Sequence, residues 1–228
     1  MVKSYIIASC KSWHRSVFDD LSSHKEGQWI WVAAPDELFR SVKEASGLRY
    51  IFFLHWNWHV PVEIWSHCEC VCFHMTDVPY GRGGSPLQNL IAAGLDRTKL
   101  SALRMVDEMD AGPVYVKREM PLDGRAEEIY IRAGRLSFEI ILWMISNEPV
   151  AVPQHGEVVS FKRRKPEQSV LPQEGGLHLV YDHIRMLDAP TYPLAFVEYG
   201  NFRLEFSNAQ FLENEVSARV VIRNKSVE

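Results

Sequence analysis

Apolar runs alternate with amphipathic stretches through the first part of the chain. Lys3 to Ser9 (KSYIIAS), Gln28 to Ala34 (QWIWVAA) and Arg49 to His55 (RYIFFLH) are short and continuous, rich in β-branched and aromatic residues, as strands buried on both faces are. Between them, Ser12 to Leu21 sets Trp13, Val17 and Leu21 on one helical face. Asp36 to Ser46 reads as a second helix with Asp36 early in its first turn, where a carboxylate suits the helix dipole. Strands alternating with helices predict an α/β fold with a Rossmann-like, mostly parallel sheet. Val71 to Gln88 then reads strand, glycine loop, helix. The strand ends at His74, the loop contains Gly81-Arg82-Gly83-Gly84, and the helix starts with Ser85 as N-cap, Pro86 at the first position and Gln88 closing a capping box. Ligands of such sheets sit at the carboxyl ends of the strands, where this order puts His74.

Further on, a tight turn at Asp110-Ala111-Gly112-Pro113 leads into a strand over Val114 to Glu119. Ala126 to Ile145 predicts a core-packing helix, with Ile129, Ala133, Leu136, Ile140 and Trp143 in a stripe opposite Glu128, Arg132, Arg135 and Glu139. Pro149 to Gln173 has no sustained periodicity and reads as a passage between domains. Beyond it come a helix over Leu177 to Leu187 and strands near Ala195 to Tyr199, Arg203 to Ser207 and Val216 to Arg223, the first two joined by a hairpin turn at Gly200-Asn201. The expected organisation is an α/β domain over 1–150, a linker over 151–175 and a small β-rich domain over 176–228.

Charge narrows the function classes. The 228-residue chain has a formal net charge of -4 and a pI of about 6.1, so no overall basic field exists to hold a long nucleic acid by its phosphates, and none is expected as a partner. No apolar run approaches the roughly 20 residues of a spanning helix. The apolar part of the N-terminus is too short for a signal peptide, so a cytoplasmic protein with no membrane partner is expected. Cys68, Cys70, Cys72 and His74 alternate, which tempts a metal reading. In a strand, however, positions 68 and 74 lie roughly 20 Å apart, whereas zinc ligands lie within about 2.3 Å of one ion. Buried free thiols and no metal are expected. GxGxxG is absent, so NAD and FAD are not predicted. The aromatic run His55-Trp56-Asn57-Trp58-His59 is either core and rim or a slot for a planar heterocycle. Phe161-Lys162-Arg163-Arg164-Lys165 is the densest basic run, read either as solvated charge or as a seat for a substrate phosphate.

With His74, Pro79, Arg82-Gly83, Ser85-Pro86 and Asp110-Ala111-Gly112 in these places, the chain resembles the formyltransferase family that uses N10-formyltetrahydrofolate. The resemblance covers residues 1–150, and the tail looks like a shortened form of that family's C-terminal open barrel. It implies His74 as general base with Asp110 as its partner. It also implies a folate site at Trp58, His59, Val60, Gly84, Val106, Asp107, Glu108 and Met109; Arg82 and, on the charge reading of the basic run, Lys162, Arg163 and Arg164 are expected on the acceptor. Within the family, the runs HWxWxxP, FHMTDVPYGRGGSPLQNL, MDAGPVY and FKRRKPEQS look most like formyltransferases of pseudaminic acid biosynthesis. The implied acceptor is the amino group of a UDP-linked 4-amino-4,6-dideoxy sugar.

Formyl transfer to an amine passes through a tetrahedral intermediate, so the site must accept a proton and stabilise an oxyanion. Where the family has an asparagine two residues before the histidine, this chain has Cys72. A thiol is a weak donor, and loss of an oxyanion donor costs about 3 kcal/mol in other enzymes. Asn57, a backbone N–H or His74 itself could substitute; otherwise the protein only binds folate or a nucleotide sugar. Methionyl-tRNA formylation is the enzyme alternative. Glycinamide ribonucleotide formylation would expect a glycine-rich loop where Ser9-Cys10-Lys11-Ser12 stands.

Overall fold

The computed structural model describes residues 2–24, 26–190 and 192–225. They form two compact units, each assembled from separated stretches: the first from the described residues of 1–83, 99–120 and 131–160, the second from those of 84–98, 121–130 and 161–228.

Strands β1 (Ser4–Ala8), β2 (Gln28–Val32), β3 (Leu48–Phe53), β4 (Cys70–His74), β5 (Tyr80–Gly83), β6 (Arg97–Arg104) and β7 (Val114–Pro121) come before the longest helix, and all but β5 join one sheet in the order β2-β1-β3-β4-β6-β7. The first four are parallel, pairing β1 with β2 and β3, and β3 with β4. The apolar runs explain this: Ile6, Ile7, Ala8, Ile51, Phe52 and Val71 are all sealed from solvent, which demands cover on both faces. Among the covering helices are α1 (Arg15–His24), turning in Val17, Phe18 and Leu21, and α2 (Pro35–Glu44), turning in Leu38 behind Asp36 and Glu37 in its first turn.

Strand β6 is absent from the sequence-based reading because Thr98, Lys99 and Ser101 break up its apolar pattern. It runs antiparallel to β4, with Ser101 opposite His74. Its buried hydroxyl is satisfied, Ser101 Oγ donating to the Thr76 carbonyl at 2.7 Å.

Short helices α3 (Val62–Trp65) and α4 (Pro86–Ala92) follow β3 and β5. Pro86 does open α4, but the expected capping box does not form. Ser85 adopts a left-handed conformation (φ 50°, ψ 50°), makes no side-chain cap, and instead accepts the Arg164 N–H through Oγ at 3.0 Å. Gln88 is buried, its Nε2 donating to Tyr130 Oη and the Met186 carbonyl, both at 3.0 Å. Both N–H groups of the amide are committed there, while its buried Oε1 has no hydrogen-bond partner, so burial and pairing of the NH2 group override the local capping preference.

Helix α5 (Ala126–Asn147) buries Ile129, Ala133 and Ile140 of its expected stripe, leaves Leu136 and Trp143 half-buried, and also buries Ile141 and Met144. Strand β8 (Val159–Phe161) pairs with β5. In the second unit, helix α6 (Leu177–Arg185) precedes the antiparallel sheet of β9 (Ala195–Tyr199), β10 (Phe202–Leu212) and β11 (Glu215–Asn224). Gly200, at φ 57°, makes the predicted hairpin turn between β9 and β10. A register shift after Ser207 lets β10 run on past the predicted strand end. Among the described residues no helix is long and apolar enough to cross a membrane.

Two histidines lie together at the ends of β1 and β3. Ser9 Oγ and His14 Nδ1 share a 2.9 Å hydrogen bond, and the His14 and His55 rings are 5.1 Å apart by centroid. Burial pushes His14 from its ordinary 6.5 down to about 4; burial, then the neighbouring His14 and Lys11, push His55 to about 3. Both are therefore neutral in the folded state, while the unfolded chain takes up protons below pH 6.5. Their contribution to stability is complete above pH 6.5 and falls as the pH drops towards 4, by up to about 1.4 kcal/mol per pH unit for each histidine. Urea unfolding between pH 7.5 and 4.5 should show this decline, and His14→Gln should flatten it.

Candidate active site

Strand β4 ends on His74, a residue only 8 % exposed. Its Nε2 donates to the Gly81 carbonyl at 2.7 Å, and the Thr76 hydroxyl donates to the same oxygen at 3.3 Å. The carbonyl can only accept, so the neutral ring carries its proton on Nε2 and presents the Nδ1 lone pair. Nδ1 lies 3.5 Å from Asp110 Oδ2. That distance is long for a hydrogen bond, as two facing acceptors should be; a proton arriving on Nδ1 would turn the contact into a charge-assisted bond. Asp110 Oδ2 is held in place by the Gly83 N–H at 2.9 Å.

The turn that supplies Asp110 is unusual in two ways. Asp110 itself has φ 54°, a left-handed conformation that aspartate tolerates better than most residues. Gly112 follows, and a Cβ there would lie 1.7 Å from the Arg104 carbonyl oxygen, so no side chain fits. Both His74 and Asp110 were legible from the sequence, and the structure brings them together.

Arg82 turns its guanidinium to Gln154 Oε1 (3.1 and 2.9 Å) and to Glu108 Oε1 (3.2 Å). Gln154 is a residue that sequence reasoning missed. It lies in the non-periodic stretch after α5, where no pattern singles out one glutamine. Of the expected folate positions, Trp58 is exposed and meets Trp56 edge-on, with centroids 4.9 Å apart, and His59 is also exposed. Val60 points into the core, leaving its main chain for any ligand. Asp107, Glu108 and Met109 are exposed and Val106 half-buried.

Cys72, two residues before His74 on β4, shares its face of the strand and lies near enough to Asp110 to feel its charge. Its thiol donates to the Leu103 carbonyl on β6 at 3.7 Å, and burial, then the Asp110 charge, push it up to about 12. It is a protonated thiol at neutral pH and no nucleophile. Among the described residues no three His, Cys, Asp or Glu side chains form a metal set.

In the second unit, the basic run is fixed through its main chain. The Gly84 N–H donates to the Phe161 carbonyl at 3.1 Å, and Asn89 Nδ2 donates to the carbonyls of Gly84, Ser85 and Lys162 at 3.0, 3.0 and 3.1 Å. Gly84 lies so close to Arg163 that a Cβ would meet the Arg163 Cβ at 2.6 Å. The side chains of Lys162 and Arg163 stay exposed, whereas Arg164 is half-buried and donates to the Gln168 carbonyl at 2.6 Å.

Residues 166–223 match the family model for the C-terminal domain of methionyl-tRNA formyltransferase. A solved structure of methionyl-tRNA formyltransferase from Clostridium thermocellum is 42 % identical in sequence, superposes with a TM-score of 0.94, and aligns over 98 % of this chain and 100 % of its own. The chain belongs to the formyltransferase family. A curated methionyl-tRNA formyltransferase from Mesoplasma florum is 28 % identical over 158 residues, covering 66 % of this chain and 50 % of its own length, so the chain spans about half of the curated relatives it matches. A 4-N formyltransferase from Francisella tularensis shares the fold, with 15 % identity, a TM-score of 0.66 and coverage of 85 % of this chain and 91 % of its own.

Gly112→Ala tests the turn. Backbone must move to admit the methyl group, so a loss above about 3 kcal/mol in urea unfolding is expected, at or beyond the top of the usual range for overpacking. A loss below about 1 kcal/mol would mean the turn relaxes freely.

Proposed function

We propose that this chain transfers a formyl group from N10-formyltetrahydrofolate to the primary amine of a small acceptor, a nucleotide-linked 4-amino-4,6-dideoxy sugar. The observation that carries this reading is the buried His74 lone pair facing a fixed carboxylate. The folate co-substrate supplies the electrophilic formyl carbon. As the amine attacks the formyl carbon, His74 Nδ1 takes its proton, and the Asp110 carboxylate stabilises the imidazolium while Gly81 keeps the ring from turning. Both ring nitrogens and the Cys72 thiol are then engaged, so we assign the oxyanion donor to the exposed Asn57 amide, on the segment after β3. The tetrahedral intermediate collapses with cleavage of the formyl C–N10 bond, and the imidazolium gives the proton to N10 of the departing tetrahydrofolate. The exposed Trp58 ring suits a flat pterin, and the Val106–Met109 stretch, with the main chain of Val60, offers backbone groups to its polar edge.

Charge favours a small acceptor over tRNA. The segment matching the tRNA enzyme's C-terminal domain, 166–223, holds eight acidic and four basic residues, a poor surface for a polyphosphate backbone. The fixed basic run at Lys162, Arg163 and Arg164 is compact enough for a nucleotide diphosphate. A second reading, formylation of methionyl-tRNA, is favoured by the 42 % identity with the Clostridium protein of that name.

Parallel assays with N10-formyltetrahydrofolate and either a UDP-4-amino-4,6-dideoxy sugar or charged initiator tRNA separate the two. Formylated sugar without formylated tRNA is the expected result; the reverse would overturn the acceptor assignment. With the productive acceptor, His74→Ala and Asp110→Asn should each lower kcat by about 100-fold or more. Asn57→Ala should lose at least about tenfold, while Cys72→Ala stays within a few-fold of the parent. Replacing Lys162, Arg163 and Arg164 together should weaken UDP binding measured calorimetrically and leave folate binding unchanged.

A further inference from the structure

The structure assigns Gln154 as a positioning residue that holds the Asp110 turn and Arg82 in one arrangement and thereby sets the His74–Asp110 geometry. Its amide uses its full hydrogen-bonding capacity. Nε2 donates to the carbonyls of Asp110 (2.7 Å) and Gly112 (2.8 Å), while Oε1 accepts from Arg82 Nε (3.1 Å) and Nη2 (2.9 Å). Two donors and two acceptor sites are all a primary amide has, and here each is filled.

The partners matter more than the count. One carbonyl belongs to Asp110, whose left-handed backbone aims the carboxylate at His74, and the other to Gly112 two residues on, and such a conformation persists only where its surroundings fix it. Arg82 lies between Gly81, which holds His74 Nε2, and Gly83, which holds the Asp110 carboxylate. One side chain thus ties together the two loops that grip the histidine from its two nitrogens. Gln154 is itself placed by the segment before it: Val152 and Val114 exchange both backbone hydrogen bonds, at 2.7 and 2.9 Å, two residues ahead of the glutamine.

Only the glutamine amide meets both demands. A carboxylate at 154 would keep Arg82 and even strengthen that contact, but would set negative oxygen against two carbonyl oxygens. The Asp110 turn would then be released while the Arg82 side is preserved. A leucine would release both.

The catalytic consequence rests on the proposed formyl transfer, but the positioning itself does not. In 15N-labelled protein, long-range correlation spectra read the protonation and environment of each histidine ring nitrogen without any turnover. Gln154→Glu is expected to move the His74 ring signals in the same direction as Asp110→Asn does, while the His14 signals stay in place as an internal reference for the fold. Gln154→Leu, if it folds, should do the same. In the productive assay, Gln154→Glu should lower kcat at least tenfold with the folate KM changed less than threefold. His74 signals identical to the parent in folded Gln154→Glu would overturn the assignment, whatever the activity. Absence of formyl transfer by the parent protein would sink the functional reading and leave the spectroscopic result standing on its own.

Discussion

The hydrogen bond from His74 Nε2 to the Gly81 carbonyl is the contact on which the site depends. It fixes which nitrogen of the neutral ring holds the proton, and so decides that the lone pair faces Asp110. Everything nearby serves one side of that arrangement. Thr76 and Ser101 secure the Gly81 side, one through the carbonyl and the other through the Thr76 main chain. Gly83, Gln154 and the side-chain-free Gly112 secure the Asp110 side. Apart from the open His74 Nδ1–Asp110 contact, these groups are fixed in place by their partners, and groups so fixed need little reorganisation when charge develops beside them.

The parallel sheet and the two candidate catalytic side chains were legible in the sequence because each has a local signature. Continuous apolar strands need cover on both faces, and a histidine closing such a strand falls at its carboxyl end. What stayed hidden depended on contacts distant in sequence. Strand β6 carries Thr98 and Ser101 in the interior, and the Ser101 hydroxyl is tolerated there because it donates to the Thr76 carbonyl. Gln154 is one polar residue in an unpatterned stretch, and its meaning comes from carbonyls 42 and 44 residues away. The capping box failed for the same reason: Gln88 has the right spacing, but its burial commits the amide to Tyr130 and Met186.

The run of alternating cysteines illustrates how strand geometry decides chemistry. Cys70 and Cys72 both lie on β4, and burial raises both thiols, Cys70 most by burial and then by its cysteine neighbours. Thiols kept protonated in this way act as small apolar groups that pack between strands. The Cys72 proton goes to Leu103 on β6, so the side chain serves the sheet where a neighbouring strand is present to receive it.

The gap between His74 Nδ1 and Asp110 is the contact in this constellation left short of hydrogen-bond distance. A carboxylate pinned by the Gly83 N–H cannot rotate freely to close it, and the ring cannot turn without breaking the Gly81 bond. A proton on Nδ1 resolves the mismatch, because it converts two facing acceptors into a donor and an acceptor with opposite charges. Proton uptake at that atom therefore completes the network, and the arrangement favours a reaction in which the histidine receives a proton over one in which it begins by giving one away.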